Sequence, residues 1–419
     1  MELKFSRLML AGFLLIAGTA ACTEELDNSA GCPILCGDQG GTIETVTLDA
    51  VLLDSTVSAL AGQGTETSLL IATRGDTIDS RAVVRFDSIP DRYRKPGPDT
   101  TTFPLLTVDS AFLRMRVDTA GGKIPASVTL DLYDVNSTAP DTAIAAVAAL
   151  FTSSRLITSV TLDQSALKDT INIPIPGDAI LSRKGGPMRV GIRARGPQSV
   201  QLRLLSEEGA GTPTALSYRV SPDTTIAKVV LGPFSKTPAD NPILSRSFGD
   251  YTVLVKGTAT GSQSQLNIGG LPARRVYMRF NIPPFILDSV DVVRATLLLT
   301  QQSNLTIDPG DTIRIIPHVS LAAAAVTDIA KAAQITAQAS GDTLEVTPGG
   351  NGLVLLEIAN LINVWRSQSA TDTPRAIVLL STLEGTSPLE ARFFPVEAAA
   401  NLRPRLRISY SARKSTGLP

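Results

Sequence analysis

Apolar and polar residues alternate with a period of two along most of this chain. In residues 80–86, Ala82, Val84 and Phe86 share one face, and Arg81, Val83 and Arg85 share the other. In residues 112–117, Leu113, Met115 and Val117 oppose Phe112, Arg114 and Arg116. In residues 189–195, Val190, Ile192 and Ala194 oppose Arg189, Gly191, Arg193 and Arg195. This spacing predicts strands with one face in a core and one in water, as in antiparallel sheets. Turn sequences such as Asp118-Thr119-Ala120-Gly121-Gly122 and Thr347-Pro348-Gly349-Gly350 separate them. Helical spacing is confined to short stretches, predicted at 143–151, 321–338 and 357–366. The last places Ile358, Leu361, Ile362 and Trp365 on one side.

The same order of segments occurs twice. Arg85-Phe86-Asp87 and Asp109-Ser110 in the first half answer Arg279-Phe280-Asn281 and Asp288-Ser289 in the second. Residues 130–135 answer 313–319, and 171–183 answer 354–366. The closing strand 215–220 answers 405–410. An insertion at 91–107, rich in Pro, Thr and charge, is expected to be a surface loop, and the join between copies is expected within 221–242. With 419 residues and 43% hydrophobic content, the chain exceeds one ordinary core. The predicted fold is all-β: two tandem antiparallel β-sandwiches, jelly-roll-like, over 42–225 and 240–412, with a few short helices.

The N-terminus reads as an export signal. Lys4 and Arg7 precede a short apolar run, and Gly18-Thr19-Ala20-Ala21 leads into Cys22. Small residues before a cysteine resemble the lipobox of bacterial lipoproteins. Residues 1–21 are then the signal peptide and Cys22 the lipidated mature N-terminus. Thr23 at the next position implies the outer membrane of a bacterial envelope by the same resemblance. Residues 22–41 form a polar tether carrying Cys32 and Cys36, expected to close a small disulfide in an oxidising compartment. The expected membrane contact is through the lipid, since no further stretch reaches spanning length.

The residues that recur also resemble a known module. Arg279-Phe280-Asn281, Leu356-Glu357-Ile358-Ala359-Asn360-Leu361-Ile362, Trp365, Phe394, Glu397 and Arg403-Pro404-Arg405-Leu406 resemble the DNRLRE-type domains of bacterial surface and secreted proteins. The first copy keeps Arg85-Phe86-Asp87 and Tyr218 but lacks the tryptophan and the Arg-Pro-Arg. The resemblance implies a β-sandwich of carbohydrate-binding-module type, in which some members bind acidic glycans. It implies no enzymatic activity.

Composition narrows the chemistry. A net charge of −1 argues against a nucleic-acid partner. His318 is the only histidine, which excludes two-histidine metal sites and leaves little for a Ser-His-Asp arrangement; it is expected to be structural, at a strand end. No phosphate-binding loop occurs. Acids stand mostly in Asp-Thr turns, where they cap backbone N–H groups. No catalytic residue, metal site or cofactor is therefore assigned. A paired-carboxylate hydrolase stays as a minor alternative. A structural calcium ion would fit only an acidic turn such as Asp308-Pro309-Gly310-Asp311. Trp365 alone is too little for a stacking platform and is expected in the core.

The feature that points to binding is arginine on the strand faces expected to be wet. Candidate ligand residues are Arg81, Arg85, Arg114, Arg116, Arg193, Arg195, Arg275, Tyr277 and Arg279. Guanidinium forks match carboxylates, so a patch of them suits an acidic polysaccharide. The competing account makes them solvated side chains paired with Asp or Glu. Two functions follow: an anchored, non-catalytic envelope protein that binds polysaccharide, or an assembly lipoprotein that contacts other envelope proteins. The sequence leaves the oligomeric state open.

Overall fold

The computed structural model describes residues 42–413, except 60–63, 98–100, 120–123, 197–198, 212–213, 237–247, 259–263, 323–325, 339–341 and 368–374. The signal peptide, Cys22, Cys32 and Cys36 lie outside the described residues. Among the described residues, no helix is long and apolar enough to cross a membrane.

The fold is all-β. In chain order the strands are β1 (Glu44–Leu48), β2 (Val51–Ser58), β3 (Ser68–Arg74), β4 (Ile78–Phe86), β5 (Arg92–Arg94), β6 (Thr102–Pro104), β7 (Ser110–Arg116) and β8 (Ser127–Asp134). Then come β9 (Leu156–Asp163), β10 (Thr170–Pro174), β11 (Met188–Arg195), β12 (Val200–Leu205), β13 (Ala215–Arg219), β14 (Val229–Leu231) and β15 (Asp250–Lys256). The second half supplies β16 (Leu266–Gly269), β17 (Arg274–Phe280), β18 (Val290–Gln302), β19 (Ile313–Ser320), β20 (Thr336–Gln338), β21 (Leu344–Val346) and β22 (Gly352–Glu357). It ends with β23 (Ala376–Ser381), β24 (Glu390–Phe393) and β25 (Arg405–Ala412). Among the described residues, five short α-helices join them: α1 (Ile144–Ala148), α2 (Gly177–Leu181), α3 (Pro284–Asp288), α4 (Ile329–Ala332) and α5 (Ala359–Ser367).

Among the described residues every pairing between strands is antiparallel, apart from one isolated parallel bridge between Phe86 and Phe234, and the alternation read from sequence places the core. In the first module, β9-β8-β11-β4 pack against the sheet β10-β7-β13-β14. Ala82, Val84, Leu113, Met115, Val190, Ile192 and Leu216 fill the space between. The second module keeps the strand neighbours but joins them into one continuous sheet through β24 and β16, in which β19-β23-β17 and β22-β18-β25 enclose Val276, Met278, Ala295, Leu297, Ile377, Leu379 and Ile408.

The two copies do not end where the sequence repeat ends. β14 pairs with β13 and β15 with β4, so both complete the first module. Their counterparts in the second module are β1, which pairs with β25, and β2, which pairs with β17. The strands that finish the second module thus come from the start of the chain. Residues 44–58 fall in the stretch expected for the first sandwich, and residues 250–256 in that expected for the second. Hydrogen bonding places each in the other sheet.

Three further differences have local causes. The insertion at 91–107 is not a plain loop, because β5 and β6 form a two-stranded ribbon with Tyr93 facing Phe103. Within 321–338, where one or two helical turns or a short helix are expected, residues 329–332 form one turn, and β20 takes up 336–338. His318 lies inside β19 and not at a strand end. The modules meet over a small apolar cluster of Leu70, Ala72, Ile78, Leu254, Leu271 and Ile307. Beside it, Arg74 pairs with Asp308 at 3.2 Å.

Candidate functional site

The faces expected to be wet on β4 and β17 are covered. Val83 is fully buried with Tyr251, Val253, Val147 and Phe151, contributed by β15, α1 and the segment after it. Tyr277 is buried with Val57, Ala332, Ala333 and Val378. Gly191 makes the first packing feasible, because a Cβ there would stand 2.5 Å from the Phe151 ring. Arg81 is 8% exposed; it forms a fork on Asp79, donates to the Ala148 carbonyl and lies 4.8 Å from the Phe151 centroid. Arg275, its counterpart, forms a fork on Glu384 and donates to the Ala333 carbonyl. Each guanidinium therefore clamps the carbonyl end of a short helix onto the sheet, where the last-turn carbonyls lack helical partners.

The remaining candidates separate. Arg85 pairs with Asp87 and Asp141, and Asp141 also accepts from the Tyr251 hydroxyl at 2.5 Å. Arg193 reaches Asp79 at 3.5 Å, and Arg195 is paired with Asp131. Arg279 stands where Arg85 does, but Asn281 replaces Asp87 beside it. The Tyr277 hydroxyl is buried without a hydrogen-bond partner. Arg81, Arg85, Arg193, Arg195 and Arg275 make internal ion pairs in two different modules. His318 accepts or donates through Nδ1 at 3.1 Å from Thr336 Oγ1, and burial followed by the Arg275 charge lowers its pKa.

Arg114 and Arg116 belong to the other sheet, whose outer face is open. Alternation sends Ser110, Phe112, Arg114 and Arg116 of β7 outward, while Ala111, Leu113 and Met115 enter the core. Arg114 faces Asn172 across β10 and Ala215 across β13; Phe112 faces Ser217, and Ser110 faces Arg219. Together with Tyr218 and Lys228, which precedes β14, these residues line a half-open cleft of about 440 Å³. Its size falls in the usual range for ligand sites, roughly 300–1,000 Å³. Arg114, Arg219 and Lys228 supply three cations, and none of the lining residues is acidic. None of the three has an ion-pair partner among the described residues, whereas Arg116, one step along β7, reaches Asp169 at 3.3 Å. The Nε of Arg114 is buried and unbonded. Phe112 is 41% exposed. The cleft can therefore hold an anion by charge-assisted hydrogen bonds and press an apolar ring face on Phe112. Burial raises the Tyr218 hydroxyl to about 12, so it stays protonated.

Sequence reasoning named Arg114 and placed Phe112 on the same face, but it did not name Arg219, Lys228, Asn172, Ser110 or Ser217. The signal for Arg219 was the alternation in Ser217-Tyr218-Arg219. Lys228 had none, because β14 lies in the segment expected to be a linker.

A second group of perturbed acids lies between the end of β12 and the start of β15. Asp250 is 1% exposed, and burial together with Glu208, Glu207 and Glu66 raises it to about 8. Glu66 is raised to about 7, chiefly by burial. Among the described residues, no group of three acid, histidine or cysteine side chains is placed to hold a metal ion. The acidic turn at 308–311 gives the Asp308 carboxylate to Arg74.

No protein-family profile matches the chain, and no curated protein does. Among solved structures, a protein from Parabacteroides distasonis ATCC 8503 inferred to be secreted aligns over 88% of this chain and 99% of its own, at 9% identity and a TM-score of 0.21. Nothing about the chemistry of this chain follows from so low a score.

Proposed function

We propose that this is a lipid-anchored, non-catalytic envelope protein of the bacterial outer membrane whose first module binds acidic polysaccharide. The observation that carries the reading is the cleft on the outer sheet of that module, with Arg114, Arg219 and Lys228 around an exposed Phe112 and no acid in its lining. Uronic acids and sulfated sugars present carboxylate or sulfate groups on a ring with an apolar face, which this set complements. The export signal, the small residues before Cys22 and the polar tether support the anchor and the compartment. Cys32 and Cys36 close a local disulfide there.

Residues 42–419, expressed without the lipid, should be retarded in native gels containing alginate, pectin or a sulfated glycan, and should run freely in neutral xylan or glucan. Retardation should fade as salt rises, because the contacts are ionic. Equal mobility in every acidic gel would refute the reading and leave an assembly role. Anchoring is tested separately: Cys22→Ser should move the protein from the membrane to the soluble fraction, and retention at the membrane would contradict it.

A further inference from the structure

The strand registers set the outer face of the sheet β10-β7-β13-β14 in rows that cross its strands. Pro174 faces Phe112, Phe112 faces Ser217, and Ser217 faces Val230. Pro174 is exposed, Phe112 is 41% exposed and Val230 is 46% exposed. Three apolar side chains and one hydroxyl thus form a row over all four strands. Neighbouring strands lie about 4.8 Å apart, so the row is about 14 Å long.

Cations flank this row on both sides. On one side, two residues along from Phe112, Arg114 faces Asn172. On the other side Arg219 faces Ser110, and Lys228 comes next to Arg219, one residue before Val229 meets Tyr218. Each flanking row stands about 7 Å from the apolar one, because a strand rises about 3.4 Å per residue. Arg114 and Arg219 therefore occupy opposite edges of the apolar row on adjacent strands, β7 and β13. Arg219 and Lys228 are like charges on neighbouring strands, an arrangement that destabilises a sheet until an anion lies between them. One acid would engage a single edge. Two acids on opposite sides of a flat ring system engage both.

We infer that the ligand of this cleft is a flat, equatorially 1,4-linked polyuronate that lies across the strands with successive carboxylates on opposite edges. This rests on the reading given under the proposed function. In such a chain each ring is turned over relative to the last, so the acids alternate sides while the ring faces stay in one plane. One ring with its linkage advances the chain by about one strand spacing, about 4.8 Å. A carboxylate over β7 then meets Arg114, and the next, over β13, meets Arg219 and Lys228. The ring faces press on Phe112 and its row. An axially linked polyuronate of equal charge is buckled, and its rings do not lie flat there. A flat neutral chain brings ring faces but no acid for either edge.

The test is calorimetric titration of residues 23–419, which keep the tether and every described strand. The ligands are two oligosaccharides of equal length and charge, equatorially linked oligomannuronate and axially linked oligogalacturonate. Oligomannuronate should bind more tightly by about tenfold or more. Arg114→Ala and Arg219→Ala, on opposite edges, should each weaken its binding by about tenfold with an unchanged melting temperature. Phe112→Ala should bring the two ligands within about twofold of each other. Equal affinity of the wild type for both ligands, or an effect confined to the arginine of one edge, would overturn the flat-ribbon assignment while leaving acidic-glycan binding intact. Absence of heat and of gel retardation with every acidic glycan would overturn both.

Discussion

The arginines divide by what surrounds them, and the division can be measured. Arg81 is buried on Asp79 and a helix carbonyl, so Arg81→Ala strips the fork from Asp79 and leaves it only the 3.5 Å contact from Arg193. Breaking a buried pair in this way costs about 3–5 kcal/mol. Chemical denaturation should show that loss for Arg81→Ala, and under about 1 kcal/mol for Arg114→Ala, which has no ion pair to break. Comparable losses from the two would contradict the assignment of one to structure and the other to the cleft. Asp250 gives a second test at this scale. Its carboxyl keeps a proton up to about pH 8 in the folded protein, whereas the unfolded chain releases it near 4. Between those values the folded state binds more protons, so stability is full at low pH and falls as pH rises. With Glu66 titrating near 7 beside it, the melting temperature should fall progressively between pH 5 and 9. Asp250→Asn should flatten that decline and melt higher than the wild type at pH 9. A decline of the same steepness in the variant would contradict the linkage.

Among the elements, the strands were legible because each carries its own alternation, and the paired motifs marked the repeat. What covers a strand was not legible. Val83 and Tyr277 sit on faces that look solvent-exposed within their own strands; burial comes from α1, α4, β15 and β2, which are distant in sequence. The partner of β2 was equally hidden, since hydrogen bonding across the sheet leaves no local mark. Yet that pairing decides how the modules can be separated. Residues 64–256 contain every strand of the first module, whereas residues 265–413 lack β1 and β2. The first fragment should melt cooperatively by itself. The second should not, because β17 and β25 each lose a neighbour and expose unpaired backbone. Joining residues 42–59 after 413 by a short turn should restore its folding, since Glu44 lies opposite Tyr410 at the end of β25. Cooperative native-like melting of 265–413 alone would refute the role given to the N-terminal strands.

For the molecule as a whole, the unequal copies are the informative feature. The second module resembles a DNRLRE-type domain more closely in sequence, while the cationic cleft belongs to the first. Much of what that resemblance rests on is internal: Trp365 packs on Phe280 at 5.5 Å in the core, and Arg403 pairs with Asp49 beside β1. Motif residues of this kind report the scaffold, so the sequence was clearer about architecture than about the ligand-facing side. The first described strand, β1, belongs to the second module and pairs with β25. Hydrogen–deuterium exchange with and without an acidic oligosaccharide locates the site most directly. Binding should slow exchange in residues 110–116, 215–219 and 228–231 and leave 290–298 and 405–412 unchanged. Protection on the second module instead, or none anywhere under saturating ligand, would contradict an acidic-glycan cleft on the first.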